Sequence, residues 1–261
     1  SDLGVKFECI GSVVSYLIVR YANGITMIRE VEINQNHFFS IFADAVSLYD
    51  LSLNAESSDL SSRLAKASIL SVNYALEAAA NSCLQSLELT EPMKDKIDRF
   101  STIDKFDFVL QWYNGESLKK GDKHVQQIRS LVKLRNDHVH PKVKSISKKV
   151  KSEAFNDKIS YKHVAIESDA NPNTLDGVDL YTSSHALLAL QYLVGFLNKF
   201  VIEWWGISLE FSTEMFITSW DGSTTADRYL YSMDDLNIVL KHEHEFRFMF
   251  LGLHGIREQF A

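Results

Sequence analysis

Proline is scarce in this chain, with three in 261 residues, and only eleven glycines and two cysteines accompany it. That scarcity argues against proline-rich, collagen-like and low-complexity classes, and favours long uninterrupted elements. Cys9 and Cys83 are too few for a disulfide framework, and neither has a partner at metal-ligand spacing. Both read as free thiols of a reducing compartment. There is no glycine-rich phosphate loop of the Walker or Rossmann type and no Gly-x-Ser-x-Gly elbow. No basic-then-apolar leader opens the sequence, so a cytoplasmic protein is expected. Internal repeats and a clear interdomain linker are also missing. Apolar residues are plentiful: 46% of the chain is hydrophobic. A chain of this size and make-up is expected to form a mainly α protein with a substantial core.

Positive charge is in deficit overall but not everywhere. The net charge of −7 argues against a surface that is nucleic-acid footprint throughout. From Lys119 to Lys151, however, eleven Lys or Arg face only two acids, Asp122 and Asp137, so this segment carries +9 and the remainder −16. Basic residues gathered in one place attract and steer a polyanion. The plainer account of Lys144 to Lys151 is a solvated lysine-rich loop.

Taken in order, residues 12–33 pattern as a β-hairpin, two runs rich in β-branched residues around Asn23-Gly24, a pair that tolerates a type I′ turn. A short helix is predicted from His37 to Leu51, with Phe38, Phe39, Phe42, Val46 and Tyr49 on its apolar side. Residues 54–62 form a polar break rich in N-caps. The longest helix comes next, from Arg63 to Leu89, burying Val72, Leu76, Ala79, Ala80, Cys83 and Leu87. Glu77 and Asn81, one turn apart on it, either face solvent as a pair, the plainer reading, or project towards Arg135 of a later helix and hold it. Pro92 suits a first helical turn, and Ser101 caps a helix that Asn114-Gly115 stops. Residues 121–140 form the next helix. The region 143–181 has the weakest pattern, with a possible strand at Tyr161 to Glu167. Thr182 starts a helix running to Trp205, apolar enough to weigh as a membrane span, but His185, Gln191 and Asn198 within it favour a central bundle helix. Leu209 to Trp220 alternates like a strand, and a last helix is predicted from Ser232 to Phe260.

Within the 121–140 helix, Val125, Ile128 and Val132 recur at steps of three and four, and the series continues to 135 and 139. Position 135 is Arg. A guanidinium on an apolar stripe must be paired or line a wet cleft. His140 lies five residues further on and Pro141 directly after it, which ends the helix there. A proton-transfer group and a fixed cation are thereby brought near one another. By residues alone, a structural Arg on a carboxylate and a surface His before proline is the plainer reading.

Arg135-Asn136-Asp137-His138-Val139-His140 resembles the Arg-x4–6-His signature of the HEPN superfamily, with Asn136 as the polar residue after the Arg. The long Ala-rich helix ahead of the motif is also similar to that family. The resemblance implies a small helical bundle, commonly dimeric, and a metal-independent ribonuclease of the kind found in toxins and phage defence. Other members have lost activity and serve as binding or scaffold modules. It implies that Arg135, His140 and Asn136 are catalytic. With the basic concentration around them, Lys133, Lys142, Lys144 and His138 are the candidates to bind RNA, and Glu77 and Asn81 the candidates to support Arg135. No cofactor or metal is expected. The partners expected are RNA, a second copy of the chain, and an antitoxin or regulatory protein, with no membrane.

Two histidine pairs invite a metal reading, His138 with His140 and His242 with His244. Neither has further ligand spacing, and residues two apart on a helix diverge, so solvated side chains are expected at 242–245. The organisation expected is an N-terminal hairpin and helix (1–54), a HEPN-like bundle (55–205) and a mixed α/β C-terminal extension (206–261).

Overall fold

The computed structural model describes residues 33–143, 145, 147, 173–175, 180–220 and 229–254 in full, and the backbone at 16–21, 24–29, 150–155 and 158–166. Among these residues eight α-helices carry the fold: α1 (Phe38–Leu53), α2 (Ser58–Gln85), α3 (Glu91–Ile97), α4 (Thr102–Asn114), α5 (Lys123–Val139), α6 (Ser183–Asn198), α7 (Leu209–Phe216) and α8 (Met233–Phe246). Six strands form three antiparallel pairs: β1 (Tyr16–Tyr21) with β2 (Gly24–Arg29), β3 (Ile33–Asn34) with β6 (Ser219–Trp220), and β4 (Val150–Phe155) with β5 (Lys158–Ile166). The protein is a mainly α helical bundle with a β-hairpin near its start. Tyr21 pairs with Gly24, so Gly24 stands on the hairpin's last rung, while Asn23 lies outside the described residues, as does Cys9.

Local chemistry sets most boundaries. Ser57 accepts from the Leu60 amide at 3.2 Å and starts α2 five residues earlier than the polar break suggests. Ser101 caps α4, and Gly115, at φ 74°, closes it in the left-handed region that glycine tolerates. The Asn36 side-chain oxygen accepts from the Phe38 amide at 2.8 Å and opens α1.

The core lies between α1, α2 and α6, with α4, α5 and α8 packed around them. Phe38 and Phe42 of α1 meet Phe216, Phe246, Phe248 and Phe250 in one aromatic cluster. The first helix and the C-terminal segment therefore close the same core. The apolar stretch Ser183–Trp205 is long enough to cross a membrane by length and composition, and 61% of its apolar window is buried inside this bundle. Its last turns, Lys199–Trp205, widen to π-helical geometry before Gly206, at φ 71°.

Two expectations need correction. Leu209–Phe216 is a helix and not a strand: Ser208 caps it, and Ser212, Thr213 and Phe216 bury at helical spacing. Its period-two alternation was coincident with a helical phase fixed by tertiary contacts. The last helix stops at Phe246, with Arg247 at φ 54°, because Asn198 captures the backbone of residues 247–250. The Asn198 side chain donates to the Arg247 carbonyl at 2.8 Å and accepts from the Met249 and Phe250 amides at 3.0 and 3.1 Å. Residues 255–261 lie outside the described set. In the weakly patterned region, β5 covers most of the strand anticipated at Tyr161 to Glu167, and β4, which was not anticipated, pairs with it in a bulged hairpin.

Candidate functional site at the end of α5

Asp122 caps α5, accepting from the His124 amide at 2.8 Å, and Lys199 of the π-helical segment binds its other oxygen at 2.7 Å. Burial favours the neutral acid, but the bonds from Lys199 and the backbone outweigh it and hold the Asp122 carboxyl below its ordinary value. The helix then buries Val125, Ile128, Leu131 and Leu134. This face is broader than the anticipated stripe. Val132 is half-buried at its flank, and Val139 is exposed because the helix has run out of the core.

Arg135 belongs to that inward face, at the point where the core opens, and its side chain keeps 30% exposure. Nη1 donates to the Asn136 side-chain oxygen at 3.0 Å, and Nη2 stands 3.9 Å from Glu77 Oε2 on α2. The carboxylate contact is at the limit of an ion pair. His140 is the C-cap residue, at φ −123° and ψ 63°, with its amide on the Asn136 carbonyl at 2.9 Å. Its imidazole is exposed and bonds to no described residue. Asn136 thus touches both neighbours, one through its side chain and the other through its carbonyl. No hydrogen bond joins Arg135 to His140 directly.

The supporting pair is more heavily engaged elsewhere. Glu77 and Asn81 converge on Lys105 of α4, a lysine with 2% of its surface exposed. Its ammonium donates to Glu77 Oε1 at 3.1 Å, Asn81 Oδ1 at 2.7 Å and Asp98 Oδ1 at 3.4 Å. Thr102 donates to the other Glu77 oxygen, the one nearest Arg135. Glu77 is therefore shared between a buried ammonium and the edge of the guanidinium, and Asn81 serves Lys105. Lys105 went unnoticed in the sequence, although a signal exists: it shares its α4 face with Phe106 and Val109, opposite an acid and an amide one turn apart.

The remaining anticipated residues divide. His138 is half-buried, with Nδ1 2.8 Å from the Leu134 carbonyl and its ring 5.6 Å from that of Tyr181. Lys133 and Lys142 are exposed, and Lys144 lies outside the described residues. Two cavities, of about 520 and 740 Å³, are lined without any residue of α5. Glu77 and Asn81 line the larger, and neither cavity includes Arg135 or His140.

A second titratable cluster corrects the expectation for residues 242–245. His242 is buried, with Nδ1 2.6 Å from Glu245 Oε1 and Nε2 2.8 Å from Asp50 Oδ1. Tyr49 donates to Glu245 Oε2 at 2.6 Å, and Lys241 to Asp50 at 2.7 Å. The Lys241 bond is the main reason the Asp50 carboxyl is held below its ordinary value. Burial pushes Glu245 up, but bonds from His242 and Tyr49 hold it lower overall, while burial and Glu245 raise the Tyr49 phenol. The α8 face that looked solvated clamps α8 to α1. Among the described residues no three His, Cys, Asp or Glu side chains gather as metal ligands.

Compared with known proteins, the chain matches no family model, no curated protein and no solved structure.

Proposed function

We propose that this chain is a HEPN-type, metal-independent RNA endonuclease acting as a cytoplasmic homodimer, with Arg135 and His140 as its reacting pair. What supports the reading is the grouping at the exit of α5: an imidazole open to solvent at the C-cap, and a partly exposed guanidinium held by the Asn136 side chain. His140 takes the proton of a ribose 2′-hydroxyl, and the freed oxygen attacks the adjacent phosphorus. Arg135 donates to the phosphoryl oxygens as charge builds on them, a task suited to a permanently protonated fork. The bond to the 5′-oxygen breaks and that oxygen takes a proton from the His140 of a second copy. The products are a 2′,3′-cyclic phosphate and a 5′-hydroxyl. Asn136 orients the guanidinium, and Lys133, Lys142 and Lys144 attract the strand. A role in toxicity or phage defence, held in check by an antitoxin or regulatory protein, fits such an activity.

A DNA oligonucleotide carrying one ribonucleotide tests the chemistry. Cleavage on the 3′ side of that ribose alone, leaving a cyclic phosphate, is expected, and cutting of the all-DNA strand contradicts it.

One observation favours a second reading, a non-catalytic HEPN-like module that binds nucleotide, RNA or a partner protein. Arg135 approaches Glu77 and lines neither cavity, as an anion-holding or structural arginine would. Binding of the oligonucleotide without any product identifies that alternative.

A further inference from the structure

We infer that the solvent face of α5 is a track for the backbone of single-stranded RNA, leading to His140. The inference rests on the reading of the α5 exit as a phosphodiester site and supplies its approach. Lys123, Gln126, Arg129, Lys133, Asn136 and His140 are all exposed and succeed one another at steps of three or four. At about 100° per residue, the last five fall within an arc of about 80°, on the side away from the buried Ile128 and Leu131. Lys123 extends the row at its start. The row is about 26 Å long at 1.5 Å per residue. Three of its members are cations and two are amides, and Asp137 beside it is the one acid between Lys123 and His140. A buried line on one side of a helix explains apolar residues there, but it leaves the solvent side free to carry any polar residue. That this side carries cations and amides in register with His140 points to an anionic chain lying along it.

The width of the row selects the strand. It is one cation wide and convex, matching a single backbone. A duplex would overhang both sides of the helix and meet a protein that carries −16 outside residues 119–151. Duplex readers also span successive grooves, which a lone straight face does not do. Gln126, between the first two cations, can reach sugars or bases.

The test is binding of a fluorescein-labelled single-stranded RNA, 2′-O-methylated so that it cannot be cut, measured by anisotropy from 50 to 300 mM KCl. Each phosphate contact on a single strand contributes about −0.7 to the slope of log affinity against log salt. K123Q/R129Q/K133Q is expected to lower the slope by about 2 and the affinity by about 100-fold near 0.1 M salt, with the melting temperature unchanged. K66Q/K96Q/R99Q, an equal loss of exposed charge elsewhere, is expected to change both far less. Equal losses in the two triple variants overturn the track, and duplex RNA competing as well as single strand overturns the choice of ligand. Binding that obeys these slopes in a protein that cuts no RNA keeps the track and removes the proposed reaction. Cleavage by a protein whose affinity ignores the three cations does the reverse.

Discussion

Replacing Lys105 with methionine removes a buried ammonium while keeping most of the side chain's volume. Three donors are lost at once, to Glu77, Asn81 and Asp98, the full hydrogen-bonding capacity of a lysine. The Asp98 contact contributes little, because that carboxylate is 75% exposed. The Glu77 side chain, 33% exposed, keeps Thr102 and can draw Arg135 closer. K105M is accordingly expected to cost about 2–3 kcal/mol. E77Q leaves the ammonium sealed at 3% exposure with a weaker acceptor, and is expected to cost about 3 kcal/mol. The pair of substitutions removes charge from both sides, so the double variant should cost about 3 kcal/mol rather than the sum of the singles. Thermal or urea unfolding of the four proteins gives the coupling, expected at about 2–3 kcal/mol. Each single variant should melt roughly 4–12 °C lower, at about 2–4 °C per kcal/mol for a chain of this order. Additivity within about 0.5 kcal/mol would refute the placement of Lys105 and Glu77 as one unit.

Two other buried polar groups give measurable outcomes. Asp50 and Glu245 are held below their ordinary values of 3.8 and 4.5, so their contribution is complete above those values and is lost as pH falls through the lower folded ones. H242F should reduce that loss, seen as a shallower fall of melting temperature between pH 6 and 3 than in the parent; an unchanged acid limb would contradict the clamp. N198A deprives the Arg247 carbonyl and two amides, one of them buried, of their partner, and should cost about 2–4 kcal/mol in urea unfolding. A loss under about 0.5 kcal/mol would mean that another group ends α8.

Legibility in the sequence tracked the reach of the interaction. The start of α4 at Ser101 and its end at Gly115 were readable because a cap and a left-handed glycine act within one turn. The phenylalanines of α1 were readable from spacing alone. What stayed hidden depended on partners far along the chain. Asn198 ends a helix 49 residues away, and no local signal marks Arg247 as its limit. Leu209–Phe216 fits strand and helix patterns alike until packing against α2 decides. At the candidate site, the motif and its position at a helix end were legible. The partners of Glu77 and Asn81 were not, since Lys105 looked like any surface lysine until α4 was laid against α2. Likewise 242–245 looked solvated because Asp50, which receives His242, is 192 residues away.

Cleavage of total RNA in EDTA by the parent protein, R135A and H140A tests the proposal at the α5 exit most directly. The account predicts fragments from the parent and none from either variant, with all three proteins melting within a few degrees of one another. Fragments that persist in both variants, or that disappear from the parent once the divalent metal is chelated, would contradict it.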